Sequence, residues 1–370
     1  MTTTPSTSRA GAVLSIDLAA IRDNWQLLRD RLGQTDCAAV VKADAYGLGA
    51  ARVAPVLAAA GCRHFFVAHL DEAIALRPHL PARASIYVLH GVPPGAEPEC
   101  AAHALVPVLN SRPQIDAWRD VASAAGRRLA AIVQVDTGMS RLGLSPAELD
   151  ALAADPTAFD GIDIVFVMSH LACADEPGHP ANAAQLERFV AARRQLPAAP
   201  ATFANSSAIF LGADYHFDLA RPGAALYGVA PTVGAPNPML PVVRLQGKVI
   251  QTRSLEAGAA VGYGHAWVAP RPTRLATVSV GYADGYLRSL SGKGSAWLDG
   301  VELPVAGRVS MDTITIDVSA LPEGAVDPGT LVDLLSPQQG VDALAARAGT
   351  IGYEVLTSLG NRYARHYLGG

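Results

Sequence analysis

The sequence is poor in several features that mark specialised classes of protein. It has only four cysteines among 370 residues and no C-x-x-C pair, which argues against a disulfide framework and favours a reducing compartment. No apolar run approaches the roughly eighteen residues of a membrane-spanning helix. The formal net charge is −4 and no basic block is present, so there is no electrostatic case for binding nucleic acid. These absences favour a cytoplasmic protein with neither a membrane nor a nucleic acid as its partner.

The first ten residues, Met1–Ala10, form a polar segment rich in threonine and serine. They lack the apolar core of a secretory signal, and we expect them to be flexible. In the whole chain half of the residues are hydrophobic and 17% are charged, which is typical of a folded globular protein. The length is enough for two domains with a sizeable core.

Most of the chain alternates between strand-like and helix-like patterns. Eight strand-like runs occupy residues 37–41, 64–68, 84–89, 104–109, 130–136, 162–169, 201–205 and 219–227. Eight strands that alternate with helices over about 220 residues are typical of an α/β fold of the (β/α)8 TIM-barrel type. A doubly wound open sheet would need a G-x-G-x-x-G motif after its first strand, and the sequence has none there.

The composition changes between Pro231 and Pro241, where four prolines and a glycine fall in eleven residues. This predicts a boundary between a barrel over residues 11–235, which includes a short β-like run at Val13–Ile16, and a second domain over residues 236–370. Beyond the boundary, runs of β-branched residues are separated by turn signals. The predicted strands of this mostly-β domain are residues 242–252, 273–280, 295–298, 305–309, 313–318 and 330–335.

In a barrel of parallel strands, functional side chains gather where the strands end. The chemically interesting residues at those ends are Lys42, Arg141, His170, Asn205, Ser206, Arg221, Gly223 and Ala224. The last two loops of such barrels often bind phosphate, and a serine hydroxyl with two backbone amides suits that ligand. Each residue alone has a structural explanation, such as a helix cap at Asn205. Their common position at successive strand ends predicts a site.

Lys42 stands at the end of the first predicted strand, in apolar surroundings. Burial lowers the pKa of a lysine, and such a lysine can act as a nucleophilic amine that forms a Schiff base. The structural alternative is a lysine that simply extends from the strand end to water.

The segment Val40–Gly49 resembles the lysine motif of alanine racemases, a family of barrel-type enzymes that use pyridoxal phosphate (PLP). The family pattern V-V-K-A-(N/D)-A-Y-G-(H/L)-G fits this segment at each position. Further family motifs stand along nearly the whole chain, at residues 136–139, 169–172, 204–206, 221–223, 261–264, 281–285 and 310–312. The resemblance implies PLP-dependent interconversion of L-alanine and D-alanine, which would supply D-alanine for peptidoglycan or catabolise it.

The resemblance also implies roles for individual residues. The cofactor-binding set is Lys42, which holds PLP covalently, with Tyr46, His170, Asn205, Ser206, Arg221, Gly223 and Ala224. The residues that face the substrate are Arg141, Met311 and Tyr282, with Arg288 near the entrance. Arg221 faces the pyridine nitrogen. Because arginine keeps its proton, it leaves that nitrogen unprotonated, which favours racemisation over transamination.

Racemisation needs a base on each face of the substrate, and the resemblance assigns these roles to Lys42 and Tyr263. Lys42 would serve the D-enantiomer and Tyr263 the L-enantiomer. An ordinary tyrosine has too high a pKa for this task, and we expect His170 and Arg221 to relay the effect of positive charge to it. The glycines beside Tyr263 favour an exposed turn over a core position. In the family this tyrosine reaches the lysine of a partner subunit, which implies a homodimer with shared sites.

Two positions depart from the family pattern. Gln134 stands where many members carry a carbamylated lysine that positions the arginine, so Arg141 must be held in another way, by Gln134 itself or by a bound anion. Asn361 stands where some members have a tyrosine that helps to bind phosphate.

The alternatives to an alanine racemase are a broad-specificity racemase that also accepts serine, and a non-catalytic PLP-binding protein. The spacing of His170, Asp175 and His179 matches no zinc pattern, so we expect no metal site.

Overall fold

A computed structural model describes residues 8–370 of the chain. Within this range the chain forms two compact units. The barrel unit comprises residues 21–226 and 230–239, and the β unit comprises residues 8–20, 227–229 and 240–370. No helix in the described range is both long and apolar enough to cross a membrane.

The secondary structure is as follows. In chain order the strands are β1 (Ala12–Asp17), β2 (Asp36–Cys37), β3 (Ala39–Val40), β4 (His64–Val67), β5 (Ser85–Val88), β6 (Val106–Leu109), β7 (Leu129–Gln134), β8 (Ile162–Met168), β9 (Ala201–Asn205), β10 (Leu219–Arg221), β11 (Val243–Leu255), β12 (Ala260–Val261), β13 (Trp267–Val268), β14 (Thr273–Val278), β15 (Ser295–Leu298), β16 (Val301–Pro304), β17 (Ile314–Asp317), β18 (Leu331–Leu335) and β19 (Ala364–Leu368). The helical segments are α1 (Leu18–Leu32), α2 (Lys42–Gly47), α3 (Ala50–Ala59), α4 (Leu70–Leu76), α5 (Glu97–Ala102), α6 (Arg112–Ala124), α7 (Pro146–Ala153), α8 (Pro180–Arg193), α9 (Val341–Ala348) and α10 (Gly352–Ser358).

The barrel unit is a closed parallel sheet surrounded by helices. Its strand order is β2-β10-β9-β8-β7-β6-β5-β4-β3. Strands β2 and β3 are two parts of one extended segment, interrupted at Ala38, whose amide donates to the carbonyl of Ala220 at 2.9 Å. Because β2 pairs with β10 and β3 pairs with β4, this segment joins the two edges of the sheet. All eight strands predicted for the barrel are confirmed, and so is the fold class.

Local sequence signals explain where the helices of the barrel begin. Ser145 and Glu148 form a capping box at the start of α7, with the Ser145 amide 2.9 Å from the Glu148 carboxylate. Helix α6 has a proline in its first turn. Proline is tolerated there because an amide at that position would have no intrahelical partner, so the missing N–H costs nothing. The helices cover the sheet with apolar side chains. For example, the ring of Phe189 in α8 stacks on the ring of Phe203 in β9, with 4.7 Å between the ring centres.

The β unit is built on a mixed sheet with the order β16-β15-β18-β11-β1-β19, and β14 and β17 extend it from β11. Strand β1 pairs antiparallel with β11 and parallel with β19. This corrects the predicted barrel range at its beginning, because the run Val13–Ile16 completes the sheet of the β unit. Pairing over such a long sequence separation leaves no local signal. The other predicted domain limits remain a prediction.

Two further expectations differ from the structure. The strand predicted at residues 305–309 is wrong. The observed strand of this region, β16, ends just before it at Pro304, and the chain is not extended at Gly307, where φ is +89°. Residues 1–7 of the predicted flexible segment lie outside the described range. Ala10 is buried and clusters with Val13 and Ala364, so the chain is already packed there.

Candidate active site

The closed parallel sheet brings the predicted residues of the barrel unit to one end of the barrel. Parallel strands end on the same side, so the loops after β3, β7, β8, β9 and β10 share the mouth. These loops and strand ends carry Lys42, Tyr46, Arg141, His170, Asn205, Ser206, Arg221, Gly223 and Ala224. Met311, Tyr263 and Tyr282 belong to the β unit.

Lys42 begins a segment with an unusual backbone. From Ala43 to Tyr46 four successive residues have φ between +52° and +75°, in the left-handed region. Left-handed helical conformation costs roughly 1–2 kcal/mol for each non-glycine residue, so surrounding contacts must hold it. Two such contacts are the Ala45 amide, which donates to the carbonyl of Val41 at 2.9 Å, and the Ala50 amide, which donates to Asp44 at 2.7 Å. The sequence predicts the strand end here but not this conformation.

The side chain of Lys42 has a lowered pKa, in the direction that the sequence predicts. Desolvation is the main cause, and the positive charge of Arg141 adds to it. The carboxylate of Glu72 acts in the opposite direction. A lowered pKa raises the fraction of Lys42 that is a neutral amine near neutral pH.

The loops after β9 and β10 form a compact group of polar atoms. The Ser206 hydroxyl accepts hydrogen bonds from the amides of Gly223 at 2.9 Å and Ala225 at 3.3 Å. A methyl group added at Gly223 would lie 2.8 Å from the Tyr46 hydroxyl oxygen, so only glycine leaves room for that ring. Asn205 accepts from the Ala208 amide at 3.0 Å, which is the capping role considered for it from the sequence. A hydroxyl beside backbone amides suits a phosphate group.

Arg221 is a buried cation that lies among neutral groups. Its guanidinium donates to Thr202 Oγ1 at 2.6 Å and to the carbonyl of Ser169 at 2.8 Å. Within residues 8–370 it has no carboxylate partner. Burial lowers the pKa of Arg221 to about 9, which still leaves it protonated at neutral pH.

His170 contacts Arg221 through its ring nitrogen Nδ1, which lies 3.4 Å from Arg221 Nη2. Desolvation, followed by the charges of Arg221, Arg141 and Lys42, lowers the pKa of His170 to about 3. The imidazole is therefore neutral near pH 7, and Nδ1 can accept a hydrogen bond from the guanidinium. From the sequence we expect His170 and Arg221 to relay the effect of positive charge to Tyr263. Of these two residues, only Arg221 is itself charged.

The loop that carries Arg141 is held by its own backbone contacts. Asp136 Oδ1 accepts hydrogen bonds from the amides of Gly138, Met139 and Ser140 at 2.8, 3.0 and 3.1 Å. The side chain of Gln134 is buried and donates to the carbonyl of Leu142 at 3.0 Å. Gln134 thus anchors the backbone next to Arg141, rather than its guanidinium.

In the β unit, Tyr263 lies on a turn and exposes 71% of its surface. Gly262 and Gly264 on either side have φ of +71° and +66°, as expected of an exposed turn. Tyr282 and Met311 lie together, because the Ala283 amide donates to the carbonyl of Met311 at 3.0 Å. Both side chains are also exposed. Arg288 begins a short 3-10 turn, Arg288–Leu290.

Sequence reasoning missed two residues that organise these loops. Arg362 donates to both carboxylate oxygens of Asp284 at 2.6 and 2.8 Å, and to Asp312 at 2.7 Å, so it links the loops of Tyr282 and Met311. The second residue is Glu72, whose carboxylate accepts a hydrogen bond from the Ala43 amide in the Lys42 segment. Its only local signal is the spacing of a helix cap. In the described part of the chain no three His, Cys, Asp or Glu side chains are grouped to hold a metal.

We expect Gly223→Ala to weaken binding of a phosphate group at the barrel mouth by about 10-fold or more, because the new methyl group displaces the Tyr46 hydroxyl. The measurement is the affinity of the full-length protein for PLP, by equilibrium dialysis. Gly178→Ala is the matched control, since an added methyl group there meets no atom within 4 Å. Equal affinities for the two variants would contradict the assignment of this cradle.

Comparisons with known proteins agree over nearly the whole chain. A family model described as alanine racemase, N-terminal domain, matches residues 16–231, and one described as alanine racemase, C-terminal domain, matches residues 242–367. The curated catabolic alanine racemase of Mesorhizobium japonicum is 60% identical over 99% of this chain and 95% of that protein. The catabolic alanine racemase of Agrobacterium fabrum is 57% identical over 97% of this chain and 92% of that protein.

Solved structures lead to the same family. The crystal structure of alanine racemase from Bartonella henselae with covalently bound pyridoxal phosphate superposes with a TM-score of 0.94 and 44% identity, covering 97% of this chain and 100% of that chain. Together the two family models cover nearly the full length of the chain, and so does the relative that is 60% identical. The chain therefore belongs to the alanine racemase family.

Proposed function

We propose that this protein interconverts L-alanine and D-alanine with pyridoxal phosphate held by Lys42. One observation carries the proposal: an amine of lowered pKa shares a barrel mouth with a phosphate-type cradle and with a buried arginine that has no carboxylate partner among residues 8–370. Membership of the alanine racemase family supports the choice of alanine as substrate.

The residues of the mouth fit this cofactor. The Lys42 amine suits its aldehyde, and the Ser206 hydroxyl with the amides of Gly223 and Ala224 suits its phosphate. Arg221 suits the pyridine nitrogen of the cofactor. Its guanidinium stays protonated, so it can donate a hydrogen bond to that nitrogen but cannot accept one from it. The Tyr46 ring lies against Gly223, where it can orient the phosphate end.

The chemistry that pyridoxal phosphate supplies when bound is to make the Cα–H bond of an amino acid acidic. The chain supplies the two groups that move this proton. Once the amino group of the substrate has replaced Lys42 on the cofactor, the freed Lys42 amine takes and returns it on one face, for the D-enantiomer. The Tyr263 hydroxyl does so on the other face, for the L-enantiomer. Arg141 and the backbone of Met311 hold the substrate carboxylate, and Tyr282 narrows the entrance.

An exchange experiment tests this function. The PLP-loaded protein is incubated with L-alanine in heavy water, and Cα deuterium is followed in both enantiomers after chiral separation. We expect deuterated D-alanine from the first time point, and a loss of interconversion of at least about 100-fold in Lys42→Ala and Tyr263→Phe, because each removes one base. Absence of both exchange and inversion, with the cofactor bound, would exclude alanine as the substrate. Serine is the comparison substrate, because a broad-specificity racemase would convert both.

We further propose a homodimer in which Tyr263 completes the site of the partner subunit. The support is the exposure of Tyr263, Tyr282 and Met311 in the β unit, where large apolar groups at a surface favour a covering partner. A tyrosine that serves as a base needs a position shielded from water. A partner subunit provides that shielding without any change in the turn that carries it.

Mixing two inactive variants tests the shared site. Lys42→Ala and Tyr263→Phe subunits, unfolded together and refolded, form mixed dimers with one intact site in each. We expect recovery of up to about a quarter of the normal activity, since half of the dimers are mixed and each has one of its two sites intact. The same variants refolded separately and combined without exchange are the control. No recovery in the mixed sample would contradict sites shared between subunits.

A catabolic role in a reducing compartment, the cytoplasm, is the physiological setting that we propose. The support is the word catabolic in the names of the two curated relatives, and the four cysteines, all unpaired. A strain without this gene should then lose growth on alanine as its carbon source and keep growth without added D-alanine. A requirement for D-alanine would indicate a biosynthetic role.

A further inference from the structure

Glu72 lies at the mouth of the barrel, between the Lys42 segment and strand β4. It belongs to the first turn of α4 and is partly buried. One carboxylate oxygen accepts from the Ala43 amide at 2.7 Å. The other accepts from the amides of Ala68 at 2.7 Å and His69 at 3.1 Å. A single side chain thus satisfies three backbone donors from two segments.

These hydrogen bonds continue the sheet beyond its last backbone pair. The Val41 amide donates to the carbonyl of Phe66 at 2.8 Å, in the parallel pattern of β3 and β4. The next amide in that pattern belongs to Ala43, where the chain turns into the left-handed conformation and leaves the sheet. Unpaired amides at such a point are costly, and the Glu72 carboxylate receives them in place of a backbone carbonyl.

The contact fixes the backbone next to the lysine. The peptide group between Lys42 and Ala43 is planar, so holding the Ala43 amide also holds the Lys42 Cα, which lies in the same plane. Glu72 is the only carboxylate among the groups that shift the pKa of Lys42, and its charge acts against desolvation and against Arg141. The same residue therefore acts on the position and on the charge of the amine.

We propose that Glu72 is the positioning residue of Lys42, holding the left-handed segment to the end of β4 and balancing the positive charge around the amine. This rests on the proposed function of Lys42 as the residue that holds PLP. Glu72 itself touches neither cofactor nor substrate in this role. It acts through the Ala43 amide and through its charge.

Two variants separate geometry from charge. Glu72→Gln keeps the shape but places an NH2 donor against one of the amides, and it removes the charge. Glu72→Asp keeps the charge but is one methylene shorter, so it cannot reach both segments. Glu148→Gln is the matched control, because the Glu148 carboxylate also accepts from amides of two segments, Ser145 at 2.9 Å and Arg112 at 3.3 Å, far along the chain from Lys42.

Two measurements on the full-length protein provide the readouts. The first is the reactivity of Lys42 in the cofactor-free protein, followed across pH by labelling with acetic anhydride and peptide mass analysis. The second is the rate at which Lys42 captures PLP, followed by borohydride reduction and the same peptide analysis. Neither depends on racemase activity. Besides Glu72, the charged or titratable groups that interact electrostatically with Lys42 include Arg141, His90 and His170, and no variant alters them.

We expect Glu72→Gln to move the labelling midpoint of Lys42 to lower pH, since a carboxylate that raises its pKa is gone. We compare PLP capture at a pH above every labelling midpoint, so that the Lys42 amine is neutral in each protein. There we expect capture to be at least about 10-fold slower in both Glu72 variants, because the amine is no longer held in place. Glu72→Asp should keep the labelling midpoint near that of the unaltered protein. Glu148→Gln should match the unaltered protein in both measurements.

Two outcomes would overturn the proposal. One is a Glu72→Gln protein with the midpoint and the capture rate of the Glu148→Gln control. The other is a slow capture that appears equally in that control, since this would reflect a general loss of helix capping. If Glu72→Gln fails to fold, the capture rate of Glu72→Asp decides. Failure of the unaltered protein to capture PLP at Lys42 would instead contradict the proposed function, while the labelling midpoints would still test Glu72.

Discussion

The double pairing of the segment from Asp36 to Val40 is the constraint on which the rest of the barrel depends. Its first half pairs with β10 and its second half with β4, so it closes the sheet. Closure places the end of the first strand beside the end of the last. Lys42 follows the first strand and Arg221 ends the last, so the amine and the buried guanidinium share one mouth because of this pairing.

The electrostatics of that mouth follow from the groups that surround its two cationic side chains, Arg221 and Lys42. Arg221 lies among carbonyl, hydroxyl and imidazole groups, and Lys42 is held to a lowered pKa by desolvation and by Arg141. Positive charge without paired carboxylates is costly in a protein interior, and it suits a site that receives an anionic ligand. Glu72 brings a negative charge close to Lys42, and its hydrogen bonds are directed at backbone amides, of Ala43 in the Lys42 segment and of Ala68 and His69 after β4.

Much of the fold and of the candidate site could be predicted from residue patterns. The eight barrel strands, the capping box at Ser145 and the strand-end positions of Lys42, His170 and Ser206 follow from local signals. What could not be predicted depends on contacts between distant segments. Strand β1 pairs with β11 and β19, and Arg362 reaches Asp284 and Asp312, and none of these pairings has a signal within a short window.

By itself the sequence determined the barrel class, the second mostly-β domain, the family and the residue types at the strand ends. Periodicity and motif spacing are properties of neighbouring residues, so they can be read without coordinates. Only the tertiary structure decided the left-handed backbone from Ala43 to Tyr46, the neutral state of His170 and the contact of Glu72 with the Ala43 amide. Each of these depends on burial or on hydrogen bonds from segments brought together by folding, and that is why local sequence carries no signal for them.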